Sequence, residues 1–344
     1  MGNTALHEAV KSGNIQAVRS LLCENSSLDY VNSSDDVSHN TALHYAVRAC
    51  NLKIIDILLT HGANPNAKDM YNHTPFHYAC SKGNLNVIKT LLKHGADSNA
   101  QNRNLDTPFH LAAHHCEFEI IKLLLLKNGA NLNVVDTTGI TPFSECYTMF
   151  MANQDKNKEV MRLLVAEIVK LEHSDVKISE DDLEGFDLNK RLISNSDLLK
   201  KFQQECCKEI EKMKSTHVNE SSLSVWDIFI LQTDKQELIR CSYQHDDITK
   251  LMNEFCMYSP FIVKSIVEAT GRTKLLQGAA ESMDEIFESN HDASQEGHTS
   301  WLYLPPELKM MILENLSTND LIKLQHFDEA EALLKGAYAL YEGE

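Results

Sequence analysis

"TPFHYACSKGNLNVIKTLLKHGADSNA", residues 74–100, packs two short apolar runs and two left-handed turn signals into 27 residues. Thr74 offers a hydroxyl that can cap a helix, and Pro75 a backbone already set to the helical φ. Gly83 and Gly95 stand where each of two helices must leave the right-handed conformation. Leu91 and Leu92 place apolar side chains on the second helix. A unit of this size cannot bury its own apolar face.

The same unit recurs on both sides. Thr4-Ala5-Leu6-His7, Thr41-Ala42-Leu43-His44, Thr74-Pro75-Phe76-His77 and Thr107-Pro108-Phe109-His110 are one tetrapeptide in four versions, and Thr141-Pro142-Phe143-Ser144 is a fifth that lacks the histidine. The threonines are 37, 33, 33 and 34 residues apart. Leucine pairs follow at Leu21-Leu22, Leu58-Leu59, Leu91-Leu92 and Leu124-Leu125. A fixed period of this length predicts stacked units that share one continuous core. The pattern resembles the ankyrin repeat over residues 1–172, with four recognisable copies and a degenerate capping copy. That resemblance implies an all-α solenoid with short β-hairpin turns, whose tips and inner helices form a binding surface.

Departures from the pattern are informative. Cys50 and Cys116 occupy positions where glycine usually ends the first helix, and a side chain there costs on the order of 1 kcal/mol. Repeats two and four are therefore expected to be softer. The long first gap places extra residues in a polar loop, "NSSLDYVNSSDDVSHN". The tips are expected at residues 36–39, 69–72, 102–105 and 136–139. Met70, Tyr71, Asn72, Arg103, Asn104, Leu105, Thr137 and Thr138 are the candidate target-protein contacts, since aromatic, Arg and apolar side chains together suit a protein interface.

Charge narrows the partners. With 32 Lys+Arg against 49 Asp+Glu the formal net charge is −17, which disfavours nucleic acid and anionic membranes. The longest apolar run, "IIKLLLL" at 120–126, is far below the ~20 residues needed to span a bilayer. No basic-then-apolar leader opens the sequence, and nine scattered cysteines suit a reducing compartment. The expected location is cytoplasmic or nuclear, and the host-cell cytosol for a viral or bacterial source. Residues 281–300 hold six acids and no Lys or Arg and read as a loop.

After residue 172 the period disappears. Residues 173–195 read as an acidic linker, and 196–344 as an all-α domain with apolar residues at three-to-four spacing. "CKEIEKMK" at 207–214, "SLSVWDIFI" and the terminal "LPPELKMMILENLSTNDL" at 304–321 resemble the PRANC region of poxvirus-type ankyrin proteins. Within 301–325, Leu304, Leu308, Ile312 and Leu316 make one apolar stripe behind two prolines, and Ser317 caps a second short helix. This pair resembles an F-box. The resemblance implies docking of a Skp-family adaptor, itself held by a cullin scaffold, through Leu304, Pro305, Leu308, Ile312, Leu316 and Leu321. The chain is then expected to be the substrate-recognition adaptor of an SCF-type ubiquitin ligase, its repeats binding the target. Two alternatives stand beside it: a non-catalytic ankyrin protein that masks a signalling partner, and an adaptor of the SOCS-box type, to which "YLPPELK" is also similar.

No nucleotide-binding glycine loop or HExxH appears, so neither catalysis nor a cofactor is expected. His110, His114 and Cys116 have zinc-like proximity, but His110 is the repeat histidine and is expected to be structural. Cys206 and Cys207 are expected to pack rather than react.

Overall fold

The computed structural model describes residues 4–127, 129–174, 176–217, 223–232, 251, 254–258, 260–266 and 269. The chain divides into two compact units, Met1–Lys212 and Met213–Glu344. The stretch 301–325, expected to form an F-box-like helix pair, lies outside the described residues.

In the first unit, helices alternate in pairs: α1 (Ala5–Lys11) with α2 (Ile15–Glu24), α4 (Ala42–Arg48) with α5 (Leu52–Thr60), α6 (Pro75–Lys82) with α7 (Leu85–Lys93), and α8 (Pro108–Ala113) with α9 (Phe118–Lys122). The last continues as a π-helical turn, Leu123–Lys127. The fifth pair is α10 (Pro142–Ala152) with the longer α11 (Gln154–His173). Inner helices α1, α4, α6, α8 and α10 stack in sequence. Leu6, Leu43, Phe76, Phe109 and Phe143, two residues after each threonine, are at most 1% exposed and form the spine of the core. Each such side chain contributes about 1.5–3 kcal/mol on burial. The extra residues of the first gap are not all loop, since Leu28–Val31 form a short helix, α3, that buries Val31.

One imidazole joins each repeat to the next. In the first four repeats the threonine amide donates to the histidine Nδ1 three residues on, at 3.0–3.2 Å. Nδ1 therefore carries no proton, and Nε2–H is the donor. It donates across the repeat boundary: His7 to the Asn40 carbonyl, His44 to His73, His77 to Asp106 and His110 to Ile140, at 3.1–3.2 Å. Protonating Nδ1 would set N–H against N–H in a dry site. Burial accordingly lowers the pKa of all four rings, that of His77 to about 4.

Where the histidine is replaced by Ser144, the stack ends. Ser144 Oγ closes the cap locally, accepting from the Thr141 amide at 2.9 Å. With no ring to receive it, the Thr141 hydroxyl donates instead to Asn189 Oδ1 at 2.6 Å. Asn189 belongs to α12 (Glu180–Asn195) and is fully buried, its amide nitrogen donating to the Leu132 carbonyl and Asn133 Oδ1. Asn133 follows Asn32, Asn66 and Asn99 as the fourth rung of a second ladder. In the first three rungs the side chain spans to the next repeat, as Asn66 does to the Gly95 carbonyl and the Asp97 amide.

The stretch 173–195, expected as an acidic linker, is thus mostly a helix laid on the end of the array. Its acids misled because Glu180, Asp181 and Asp182 occupy the first turn, where they complement the helix dipole. Gly185, Phe186, Asn189 and Ile193 form the face that packs. Helix α13 (Asp197–Ser215) follows, tied to α11 by a 2.7 Å Arg162–Glu205 ion pair, and buries Leu199, Phe202, Cys206 and Ile210. Among the described residues of the second unit, Trp226, Phe229, Phe255, Tyr258 and Ile262 form a core of their own, with Trp226 and Tyr258 packed edge to face at 6.0 Å.

Cys50 and Cys116 adopt φ of 52° and 46°, the left-handed turn the repeats demand in place of the usual glycine.

Two outcomes are expected. Because the folded rings resist protonation, stability is complete above about pH 6.5 and falls as the unfolded chain takes up protons the fold refuses, down to about pH 4, where His77 titrates. His77 alone contributes roughly 3 kcal/mol of this loss. A urea midpoint that stayed flat between about pH 7 and 5 would remove the imidazoles as the cause. Second, a Cβ on Gly185 would collide with the Asn133 carbonyl oxygen. Gly185→Ala should cost about 1–3 kcal/mol and speed amide exchange in α12 before the repeats; unchanged exchange would show that the helix is not seated there.

Candidate protein-binding surface

Each tip is shaped by one side chain. Asp35, Asp69, Asn102 and Asp136 open the four turns, and their Oδ1 atoms accept backbone N–H groups two to four residues ahead. Val37 and Ser38 donate to Asp35, Tyr71 and His73 to Asp69, Asn104 and Asp106 to Asn102, and Thr138 and Ile140 to Asp136, at 2.6–3.0 Å. Self-capping of this kind is what Asp and Asn contribute to turns. Burial pushes the Asp35 carboxyl up, but donors from Ser38, the Tyr45 hydroxyl, Val37 and Asn40 outweigh it and hold the group below its ordinary value. Asp136 is held low in the same way, by the Ile140 amide and the Thr138 side chain and amide against burial.

Tips are also bonded to each other. The Met70 amide donates to the Ser38 carbonyl, Arg103 to Tyr71, and Thr137 to Asn104, at 2.9–3.0 Å. Two tips are further braced from the inner helices. Tyr45 on α4 donates its hydroxyl to Asp35 at 2.8 Å, and Tyr78 on α6 donates to Asp69 at 2.6 Å. Burial and the Asp69 contact raise the Tyr78 hydroxyl well above its usual pKa, so it stays a donor. In the next repeat Leu111 takes the tyrosine's place, and the tip residue is Asn102, which bonds His73 and Asp106 instead.

On this rigid row sit exposed apolar side chains: Val37 at 82%, Tyr71 at 53%, Leu105 at 42% and Ile140 at 38%. Four consecutive tips thus each present one. The candidate residues of tips two to four fall on this row. Tyr71, Arg103, Asn104, Leu105, Thr137 and Thr138 are exposed, while Met70 and Asn72 are half-buried. Thr138 has its hydroxyl on the Asp136 carboxylate at 2.8 Å. Asn72 and Leu105 take the left-handed conformation, at φ of 62° and 63°, that Gly139 takes at 81°.

Val37 and Ile140 belong to the row but were not among the candidates. Val37 was hidden in a polar insertion that shifts its register by one residue. Ile140 lies four residues after Asp136, an offset filled by His73 and Asp106 in the two preceding tips, so no repeat signal marks it. Leu304, Pro305, Leu308, Ile312, Leu316 and Leu321 lie outside the described residues. Of the zinc-like trio, His110 faces the Ile140 carbonyl, His114 faces Glu145 at 3.0 Å, and Cys116 is buried with its thiol toward the Cys146 carbonyl.

Comparisons with known proteins agree with this architecture. The family described as ankyrin repeats (3 copies) matches residues 1–69 and 69–136, and the PRANC domain matches 220–326. The fowlpox virus (strain NVSL) ankyrin repeat protein FPV031 is 28% identical over 202 residues, 57% of this chain and 55% of that protein. From the same virus, FPV222 is 28% identical over 59% of this chain and 25% of its own length, and FPV014 26% over 53% and 39%. The chain spans about half or less of the length of these curated relatives. Among the described residues no helix is long and apolar enough to cross a membrane.

Leu105→Gly should raise stability by about 0.5–1 kcal/mol by relieving the left-handed strain, read as a higher urea midpoint. A lower midpoint would mean that the leucine side chain packs well enough to outweigh that strain.

Proposed function

Because the chain is an ankyrin-repeat protein with a PRANC domain, of the poxvirus type, and so a protein built for interaction with other proteins, we propose that it is a substrate adaptor of an SCF-type ubiquitin ligase. The ankyrin array holds a target protein along its tips, and the F-box-like helices near the carboxyl end bind a Skp-family adaptor and, through it, a cullin scaffold. The observation that carries this reading is the pairing in one chain of a braced row of exposed apolar tips with a PRANC match that contains Leu304 to Leu321.

The chain itself supplies no bond chemistry in this scheme. It raises the effective concentration of target lysines near a ubiquitin-charged enzyme, which two tethered sites do without any new contact. Five or six aliphatic side chains at the F-box-like end represent a gross ~10 kcal/mol of burial. Association and ordering take back much of it, leaving micromolar-to-nanomolar binding. Such a function places the protein in the cytosol of a host cell.

Full-length protein expressed in eukaryotic cells should co-purify the Skp adaptor in stoichiometric amount. Leu304→Ala with Pro305→Ala should lose that adaptor and retain whatever the array captures. A wild-type preparation free of the adaptor would overturn ligase recruitment and favour the masking reading, in which the array alone occupies a signalling partner.

A further inference from the structure

An acidic chain with a formal net charge of −17 places two cations on aromatic rings of its inner helices. Lys11 Nζ lies 4.2 Å from the centroid of Tyr45, and the Arg48 guanidinium 5.3 Å from that of Tyr78. Both tyrosines are immobilised: their hydroxyls are held by Asp35 and Asp69, and the His7 and His44 rings pack edge-on against them at 5.9 and 6.1 Å. They therefore offer ring surface rather than hydroxyl groups.

The patch is continuous with the tips. From the exposed Tyr71, ring centroids run 6.3 Å to His73 and 5.4 Å onward to Tyr78, where Arg48 sits. Lys11 is partly neutralised by Glu8 at 3.6 Å, a surface pair of small energetic weight. Arg48 has no ion-pair partner among the described residues. An unpaired guanidinium fixed over an aromatic face, beside an exposed tyrosine, is the composition of a binding hot spot.

We infer that Arg48, flanked by Lys11 and the Tyr45 and Tyr78 rings, receives a carboxylate side chain of an extended, acidic and apolar segment of the target protein, with a neighbouring apolar residue of that segment against Tyr71. Charge complementarity selects this occupant over a basic or neutral one. The rest of the acidic chain does not forbid it. At physiological salt the Debye length is about 8 Å, so distant acids are screened while a contact with Arg48 is not. The inference rests on the repeats being the target-holding part and specifies what they hold.

The test uses the full chain and an array of synthetic peptides in which Glu or Asp alternates with Phe or Leu, beside copies carrying Gln and Asn, or Lys and Arg, at the acidic positions. Acidic copies should bind, weaken as ionic strength rises, and lose about tenfold or more in affinity with Arg48→Glu. Arg48→Gln should lose less and Arg48→Lys least, with the fold of each variant intact by circular dichroism and only a small drop in thermal midpoint from the lost cation at the end of α4. The assignment falls if the Gln and Asn copies bind equally, if no acidic copy binds, or if Arg48→Glu binds as the wild type does. Tyr71→Ala with Leu105→Ala separates the two levels. If that variant loses the cellular partners while Arg48→Glu keeps them, the array still holds a target and only the acidic specificity is wrong.

Discussion

Each of the first four repeats reaches its neighbour through a single imidazole, and the order of the array follows from what that ring must do at both ends. Nδ1 accepts from the threonine that caps its own helix, and Nε2–H donates to a carbonyl 29 to 33 residues away. Only one neutral tautomer satisfies both, so helix capping and repeat stacking are the same constraint. A buried ring left half-bonded would lose more than the bond is worth, because the orphaned backbone group is desolvated as well. The asparagine rungs repeat the arrangement along a second line, and the tip amides along a third.

A ladder that adds one unit at a time needs a reason to stop. Here the reason is chemical: replacing histidine by Ser144 lets the cap close on itself and turns the Thr141 hydroxyl toward Asn189. The buried amide of Asn189 then takes up the Asn133 side chain that would otherwise seek another repeat. Gly185 allows the close approach that this needs, since its missing Cβ is the space the Asn133 carbonyl occupies. Helix α12 is neither an ankyrin helix nor a tether but a plug of matched polarity.

Rigidity built this way suits the proposed role in binding. Bonds between the tips, with Tyr45 and Tyr78 bracing the first two, preform the surface that carries Val37, Tyr71, Leu105 and Ile140, which in the proposed role leaves little ordering to oppose association. The same braces commit the tyrosine hydroxyls and leave ring faces to the cations. Fold and proposed recognition surface are one hydrogen-bond system seen from two sides.

The solenoid was legible in residue order because its determinants are local and periodic: threonine, imidazole, leucine pair and glycine recur at one spacing, and each acts within its own turn. The left-handed positions of Cys50 and Cys116 were legible for the same reason, since glycine stands at the equivalent position in neighbouring copies. Tertiary structure alone decided the rest. That residues 180–195 form a capping helix depends on Gly185 and Asn189 meeting backbone and side chains about fifty residues earlier, a fit that local composition, dominated by acids, conceals. That Lys11 lies over Tyr45 and Arg48 over Tyr78 depends on the stacking of separate repeats, because each pair meets by packing across a repeat boundary.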